Sequence, residues 1–148
     1  MIVISPAKRL ANNISDSSLE ATVPVFKKEA DLLARELAKL TTEELSSMMK
    51  VSENIAELNA SRYRNWNKRN TEEKRAIFQF EGDVFKNLGA KDLSESQIQY
   101  MNDNLRILSG IYGLLKPSDE MSPYRLETVS YTHLRAHETL RYLVCRLL

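Results

Sequence analysis

The sequence predicts a mixed α+β fold with several helices and a few short strands, and three observations support this. Met1–Ile4 is a short β-branched run closed by Ser5 and Pro6, a pattern typical of a buried strand that enters a loop. From Pro24 onward, apolar residues recur at helical spacing. Two helix-capping motifs occur further along the chain. Helices and strands are therefore both expected.

The first two predicted helices follow Pro24. Apolar side chains recur there in steps of four and three, which predicts a helix with one apolar face. Thr41 and Glu44 form a capping box, in which each side chain bonds the other residue's free backbone amide, so a second helix is predicted to begin there. The apolar positions of these helices are Phe26, Ala30, Leu33, Leu37 and Leu40, then Leu45, Met48 and Met49.

Two further helices are predicted from their caps. Ser52 caps a third helix, with Ile55 and Leu58 facing inward. Ser94 and Gln97 form a second capping box. The helix that starts there carries apolar residues at helical spacing and ends near Asn104.

Strands are predicted at two later places. Ile77, Phe78 and Phe80 precede a Gly-Asp turn, which favours a strand, although Thr71–Glu73 is an equally good helix start. Leu105–Ser109 is the other candidate strand. Residues 110–127, punctuated by Gly and Pro, are expected to be mostly turn and loop.

Length and composition suit one domain, or part of one, since the 148 residues are 43% hydrophobic. The formal net charge of +1 points neither to a polyanionic partner nor to a membrane surface. The first residues contain no basic region, long apolar stretch or cleavage site, so export and membrane insertion are not expected and the cytosol is the default. The single cysteine, Cys145, cannot form an internal disulfide, as in proteins of a reducing compartment.

The character of the sequence changes near residue 128. The segment Thr128–Leu148 contains the only cysteine and both histidines, and it resembles translated sequencing-adapter read-through. We therefore expect residues 1–127 to be the native portion of a single domain and 128–148 to be a non-native tail. The alternative is a native amphipathic helix. His133 and His137 would then share a face and could bind a metal, although without a third ligand they are better explained as surface histidines.

Without the tail, the chain has neither histidine nor cysteine. Ser-His and Cys-His nucleophile pairs, zinc sites with nitrogen or sulfur ligands, and the Glu-x-x-His motif of di-iron bundles all need those residues. Removing the three arginines and one glutamate of the tail leaves 18 basic and 19 acidic residues, a formal charge of −1. An anionic partner must therefore be bound by a local patch.

The segment Ser61–Asn70 contains four positive charges and two aromatic residues with no acid. The cations could contact phosphates while Tyr63 or Trp66 stacks on a base or anchors the segment in the core. The alternative is a solvated helix end, where the helix dipole favours positive charge. Taken alone, the pattern favours this alternative, because runs of charge are usually soluble surface.

Three other cations follow turns or strands. Gly110 and Gly113 could bring backbone amides close to a phosphate beside Lys116, an arrangement similar to the hairpin of helix-hairpin-helix DNA-binding units but one residue longer. The alternative is a tight turn that only glycine can fill. Lys8, after the first strand, and Arg125 are candidates for the same basic cleft, although a lone Lys or Arg is more often plain surface.

Together these strings resemble the YaaA family of peroxide-stress proteins in order and spacing, over residues 1–127. They are I-S-P-A-K-x-L (Ile4–Leu10), the Asn59–Trp66 stretch, F-E-G-D-V-F (Phe80–Phe85), L-R-I-L-S-G-I-Y-G-L-L-K-P (Leu105–Pro117) and P-Y-R-L-E (Pro123–Glu127). Family members continue well beyond the last string. The resemblance implies a cytosolic, cofactor-free bacterial protein that limits available iron under hydrogen peroxide stress, with a mixed α/β fold that binds DNA through a basic cleft and a helix-hairpin-helix-like element.

The resemblance also implies site residues. Double-stranded DNA is the expected partner, held by phosphate contacts with little base readout, and no catalytic residue or metal ligand is assigned. The cleft candidates are Lys8, Lys116 and Arg125, and the peripheral phosphate contacts are Arg62, Arg64, Lys68 and Arg69.

Alternatives stay open at this point. The cleft could bind or process a small phosphorylated or nucleotide ligand, with Lys8 and Arg125 as clamps and Tyr112 or Asp83 moving protons. The fragment could also be inactive by itself, because strands that pair with an absent half leave open edges. An all-carboxylate iron site is disfavoured, and its candidates are Glu81, Asp83, Asp119 and Glu120.

Overall fold

The computed structural model describes residues 1–11, 20–68 and 73–126. The expectations for Arg69, for Thr71 and Glu72, and for the tail with His133 and His137 lie outside these residues. In chain order, the described elements are β1 (Ile2–Ile4), β2 (Arg9–Leu10), α1 (Lys27–Leu37), α2 (Thr42–Met49), α3 (Glu53–Arg64), β3 (Lys74–Arg75), α4 (Ala76–Gln79), β4 (Phe80–Glu81), α5 (Asp83–Leu88), a short 3-10 helix (Ala90–Asp92), α6 (Glu95–Asn104), β5 (Leu105–Ser109), β6 (Gly113–Leu115) and β7 (Glu120–Met121).

The predicted mixed α+β class is confirmed, and the described chain forms two compact units. The first unit takes its described residues from 1–25, 73–109 and 114–123. The second takes them from 26–68, 110–113 and 124–126.

The described part of the first unit contains three small sheets together with α4, α5, the 3-10 helix and α6. β1 pairs in parallel with β5, and β6 lies on the other side of β5. The pairs β2–β4 and β3–β7 are antiparallel. One face of the three-stranded sheet carries Leu105, Ile107 and Leu115, which are all buried. This face forms part of the core of the unit.

The strand predicted at Met1–Ile4 is confirmed, but the prediction that it is buried was wrong. Ile2 is 62% exposed and Val3 is 47% exposed. The reason is position, because β1 is an edge strand that pairs with β5 on one side only among the described strands.

Helices α1, α2 and α3 build the second unit, with α3 packing against the other two. The apolar face predicted for α1 is confirmed by buried Ala30, Leu33 and Leu37. The capping box of α2 is confirmed as well: the Thr41 N–H donates to Glu44 Oε2 at 2.8 Å, and the Glu44 N–H donates to Thr41 Oγ1 at 3.2 Å.

For α3 the predicted inward face was wrong at Leu58, while Ile55 is half-buried. Leu58 is 50% exposed, whereas Ala56, Ala60 and Tyr63 are buried. These three residues follow one another in steps of four and three, so they share a helix face that excludes Leu58. Ser52 does occupy the N-cap position, although its side chain makes no capping hydrogen bond.

Two further predictions need correction. Ile77 and Phe78 lie in the short helix α4 rather than in a strand, and only Phe80 is in a strand. Residues 110–126 include two short strands, β6 and β7, in addition to turns. The second capping box is confirmed, with the Ser94 N–H donating to Gln97 Oε1 at 2.8 Å, and the predicted strand Leu105–Ser109 is β5.

Candidate functional site

Lys116 opens the connection from β6 to β7, residues 116–119, which we call the Lys116 loop. Its shape depends on Asp119, which is only 1% exposed. The Asp119 carboxylate accepts a hydrogen bond from Thr22 Oγ1 at 2.6 Å and another from the Lys116 backbone N–H at 2.8 Å. Because burying a carboxylate without hydrogen bonds is costly, burial of Asp119 requires the loop to keep this geometry.

Asn102, near the end of α6, holds the same loop. Its Nδ2 donates to Ser118 Oγ at 2.8 Å, and its Oδ1 accepts from the Ser118 N–H at 3.0 Å. These hydrogen bonds therefore fix the backbone of the loop that carries half-buried Lys116. Further backbone bonds join Thr22 N–H to Ser118 O (2.9 Å), Ile77 N–H to Pro117 O (3.0 Å), Ala76 N–H to Asp119 O (2.8 Å) and Glu120 N–H to Thr22 O (2.8 Å).

Lys8 is exposed and lies between β1 and β2 in the same unit. The preceding residue packs closely on the turn before α5, since a Cβ added at Gly82 would lie 3.1 Å from Ala7 Cβ. Lys8 and Lys116 thus belong to the first unit, and Arg125 belongs to the second. The convergence of all three in one cleft stays a prediction.

In the second unit, the described basic segment, residues 61–68, is anchored by its aromatic side chains. Tyr63 is 2% exposed, and its hydroxyl donates to the backbone oxygen of half-buried Arg125 at 2.8 Å. Trp66 stacks on Tyr112, with ring centres 5.7 Å apart. Of the two roles left open by the sequence, these contacts support anchoring.

Asp31, in α1, fastens the end of this segment. The Trp66 indole N–H donates to Asp31 Oδ1 at 2.8 Å, and Lys27 Nζ donates to the same oxygen at 2.5 Å. Burial by itself raises the pKa of Asp31, but hydrogen bonds from Lys27, Trp66 and Asn67, together with the charge of Lys27, bring the pKa below its ordinary value. The carboxylate is therefore charged at neutral pH and ties α1 to the basic segment.

The cations of the basic segment differ in exposure. Arg64 and Lys68 are exposed, and Lys68 Nζ donates to Asn65 Oδ1 at 2.9 Å. Arg62 is half-buried, and this burial lowers the pKa of its guanidinium against an opposing effect of Tyr63. An arginine nevertheless stays protonated at neutral pH. Arg64 and Lys68 are thus the cations of this segment most open to an anionic partner.

The expectation of a helix-hairpin-helix-like element is wrong for the glycine turn, because this turn joins two strands, β5 and β6. The LRILS sequence before it alternates between core-facing and outward residues, which is the strand period. A Cβ added at Gly110 would lie 2.2 Å from the backbone oxygen of Leu126, and Gly113 has a φ of +70°. The alternative of a tight turn that requires glycine is therefore confirmed.

The first unit also contains a cavity of about 270 Å³. Much of its lining is apolar, and its charged lining residues are two lysines, Lys86 and Lys91, and two acids, Glu81 and Asp92. The apolar lining residues are Ala11, Ile77, Phe78, Phe80, Phe85 and Ala90.

Within the described ranges, no three His, Cys, Asp or Glu side chains come together as a metal site. Of the carboxylates considered for iron, that of Asp119 already accepts two hydrogen bonds. None of the helices in those ranges has the length and apolar character needed to span a bilayer.

The family model described as peroxide stress protein YaaA matches residues 1–142. The chain belongs to this family. The predicted resemblance is thereby confirmed, while the proposed boundary between native sequence and foreign tail at residue 128 stays a prediction.

Curated relatives agree with this assignment. The chain is 44% identical over 129 residues to a UPF0246 protein of Shewanella woodyi, which covers 86% of the chain and 50% of the relative. A UPF0246 protein of Aliivibrio fischeri is 46% identical over 129 residues, with the same coverage. One of Neisseria meningitidis is 42% identical over 136 residues, covering 90% of the chain and 52% of the relative. The chain thus spans about half the length of the curated relatives it matches.

Sequence reasoning missed the side chains that shape the Lys116 loop. Thr22, Asn102 and Ser118 were not singled out, and Asp119 was considered only as a metal ligand. The available signal was local, since Ser and Asp directly after a proline are typical of a turn in which side chains bond the backbone.

Proposed function

We propose that this chain is the DNA-binding portion of a cytoplasmic peroxide-stress protein that contacts the phosphate backbone of duplex DNA. The observation that carries the proposal is the basic segment: Arg64 and Lys68 are exposed on a stretch without an acidic residue from 58 to 68. The segment is anchored underneath by Tyr63 and Trp66. Cations on an anchored segment whose sequence has no acidic residue suit a phosphate backbone, because ordering that segment on binding costs less conformational entropy.

The test is an anisotropy titration of duplex DNA over a salt series. Each phosphate contact contributes about 0.9 to the slope of log K against log salt, so Arg64→Ala with Lys68→Ala should lower the slope by roughly 1 to 2. The matched control is Lys28→Ala with Arg35→Ala, which also removes one lysine and one arginine charge from exposed positions of the same unit. Binding that ignores salt, or equal losses in both double variants, would refute the proposal.

The cleft residues are tested in the same assay. We propose that Lys8, Lys116 and Arg125 each contact the phosphate backbone, as the family resemblance implies. Single alanine variants should each weaken binding about equally for unrelated duplex sequences, because phosphate contacts carry no base information. A loss confined to one sequence would point instead to base readout.

A role in limiting iron under peroxide stress is also part of the proposal, and it rests on the family resemblance alone. Cells that lack the endogenous family member and express a full-length relative should contain less chelatable iron during peroxide exposure than cells with an empty vector. An unchanged level of chelatable iron would refute the role in limiting iron but would not affect the proposal of DNA binding.

We assign a binding role rather than catalysis, and a second candidate role is binding of a small anionic ligand. The observation behind it is the cavity lined in part by exposed Lys86 and Lys91, with Glu81 and Asp92 also in its lining. This cavity differs from the cleft predicted around Lys8 and Arg125. Tyr112, considered for proton transfer, is fully buried, whereas Asp83 is exposed. A thermal-shift screen of phosphorylated metabolites and nucleotides, with Lys86→Ala as the variant, distinguishes this role from DNA binding. Turnover of any of them would contradict a purely binding role.

A further inference from the structure

The outer face of the β1–β5–β6 sheet is apolar and open. Val3 is 47%, Leu108 39% and Leu114 36% exposed. Val3 is paired with Arg106, and Leu108 lies two residues further along β5, so Val3 and Leu108 lie on one side of the sheet. Leu114 faces the same side, because its neighbour Leu115 is fully buried on the other.

Arg106 does not make this face polar. Its Nη1 donates to the backbone oxygens of Asn102 at 2.6 Å and Leu105 at 2.7 Å, so its charge is held at the chain's own backbone. The open face therefore presents mainly hydrocarbon.

The edge of the sheet is open too. β1 pairs only with β5 among the described strands, and Ile2 is 62% exposed. An apolar edge strand with unpaired backbone groups is a template for another strand, and natural proteins normally cover or charge such edges. A face and an edge that are open together indicate an interface.

The relatives supply an occupant. The matched span covers 50% of the Shewanella woodyi and Aliivibrio fischeri proteins, so an equal length of family polypeptide has no counterpart in the matched span. We propose that this other half of the family polypeptide docks here, adding a strand beside β1 and apolar side chains over Val3, Leu108 and Leu114. The inference concerns assembly of the fold and does not depend on DNA binding.

Hydrogen exchange provides the first test. In this chain and in the full-length Shewanella woodyi relative, exchange in β1 is compared with exchange in β5, which serves as the internal reference. The ratio of β1 to β5 protection should rise at least about tenfold in the full-length protein, because newly paired amides open with the core. An equal ratio in the two proteins overturns the proposal.

Lysine substitutions provide the second test. At the positions aligned with Val3 and Leu108, lysine should lower the Tm of the full-length relative by about 5 °C or more, since an unpaired charge would be buried. Val3→Lys and Leu108→Lys should leave this chain's Tm nearly unchanged. Tyr100→Lys, at a 69% exposed apolar position on α6, is the matched control and should be tolerated in both. Full-length protein that tolerates every lysine overturns the proposal, and so does a homodimer of this chain that Val3→Lys dissociates.

Discussion

The Lys116 loop in the first unit and the basic segment in the second both present cations, but different interactions hold them. The Lys116 loop depends on hydrogen bonds, chiefly those of buried Asp119 and of Asn102. The basic segment depends on aromatic packing, in which Trp66 stacks on Tyr112 and Tyr112 meets Tyr124 edge-on at 6.0 Å. In both arrangements the contacts fix the backbone that carries the cation.

The difference has an energetic consequence. Removing one member of a hydrogen-bonded network leaves its partners unsatisfied, so the loss is concentrated at that residue. Aromatic packing spreads its contribution over a larger contact area, so one polar change at its edge costs less. The first unit should therefore have a single critical side chain, and the second unit should respond to several changes of graded size.

The largest effect is expected for Asp119→Ala. The variant leaves the Lys116 N–H and the Thr22 hydroxyl without their acceptor, so the free energy of unfolding of the first unit should fall by about 2–4 kcal/mol. Asp119→Asn is the sharper variant, because it preserves the volume but replaces one acceptor with a donor. It should be nearly as damaging as Ala. Hydrogen exchange of the Ala76 and Ile77 amides, which bond this loop, provides the measurement. A harmless Asn variant would show that packing, not hydrogen bonding, holds the loop.

A smaller effect is expected in the second unit for Gly110→Ala. The added Cβ would lie 2.2 Å from the Leu126 backbone oxygen, so the backbone must shift, at a cost of about 1–3 kcal/mol. Gly113→Ala is the control, since its positive φ costs about 1 kcal/mol. Urea unfolding followed by the fluorescence of Trp66, the only tryptophan, measures both variants. Equal losses would mean that the close approach to Leu126 is relieved without strain.

The features that could be predicted from the sequence are the local ones. Both capping boxes join residues only three positions apart, and the apolar face of α1 repeats within eleven residues. Each pattern can therefore be recognised from one short stretch of sequence. The family resemblance likewise rests on contiguous strings.

The features that were missed depend on distant residues. Thr22 and Asp119 are 97 positions apart, and no local spacing relates them. Ile77 has an apolar sequence context that suits a strand, yet its N–H donates a hydrogen bond to the backbone oxygen of Pro117. The N–H of its neighbour Ala76 donates to the backbone oxygen of Asp119. The Lys116 loop thus fixes both residues at the start of α4. The exposure of β1 was missed for a similar reason, since burial of a strand depends on which strands flank it.

The smallest effect is expected for Asp31→Asn, which keeps an acceptor for the Trp66 indole but removes the charge paired with Lys27. The wild type should be more stable by about 1 kcal/mol at pH 7. Because folding lowers the pKa of Asp31, this advantage should be complete above the unfolded pKa of about 4 and vanish as pH falls through the lower folded pKa. Urea unfolding at several pH values, followed by Trp66 fluorescence, tests this. Glu36→Gln, in an exposed pair with Lys39, is the control and should change stability by less than about 0.5 kcal/mol. If the advantage of Asp31 persists at acid pH values where its carboxyl group is protonated in both states, its charge is not the cause, and hydrogen bonding and packing account for it.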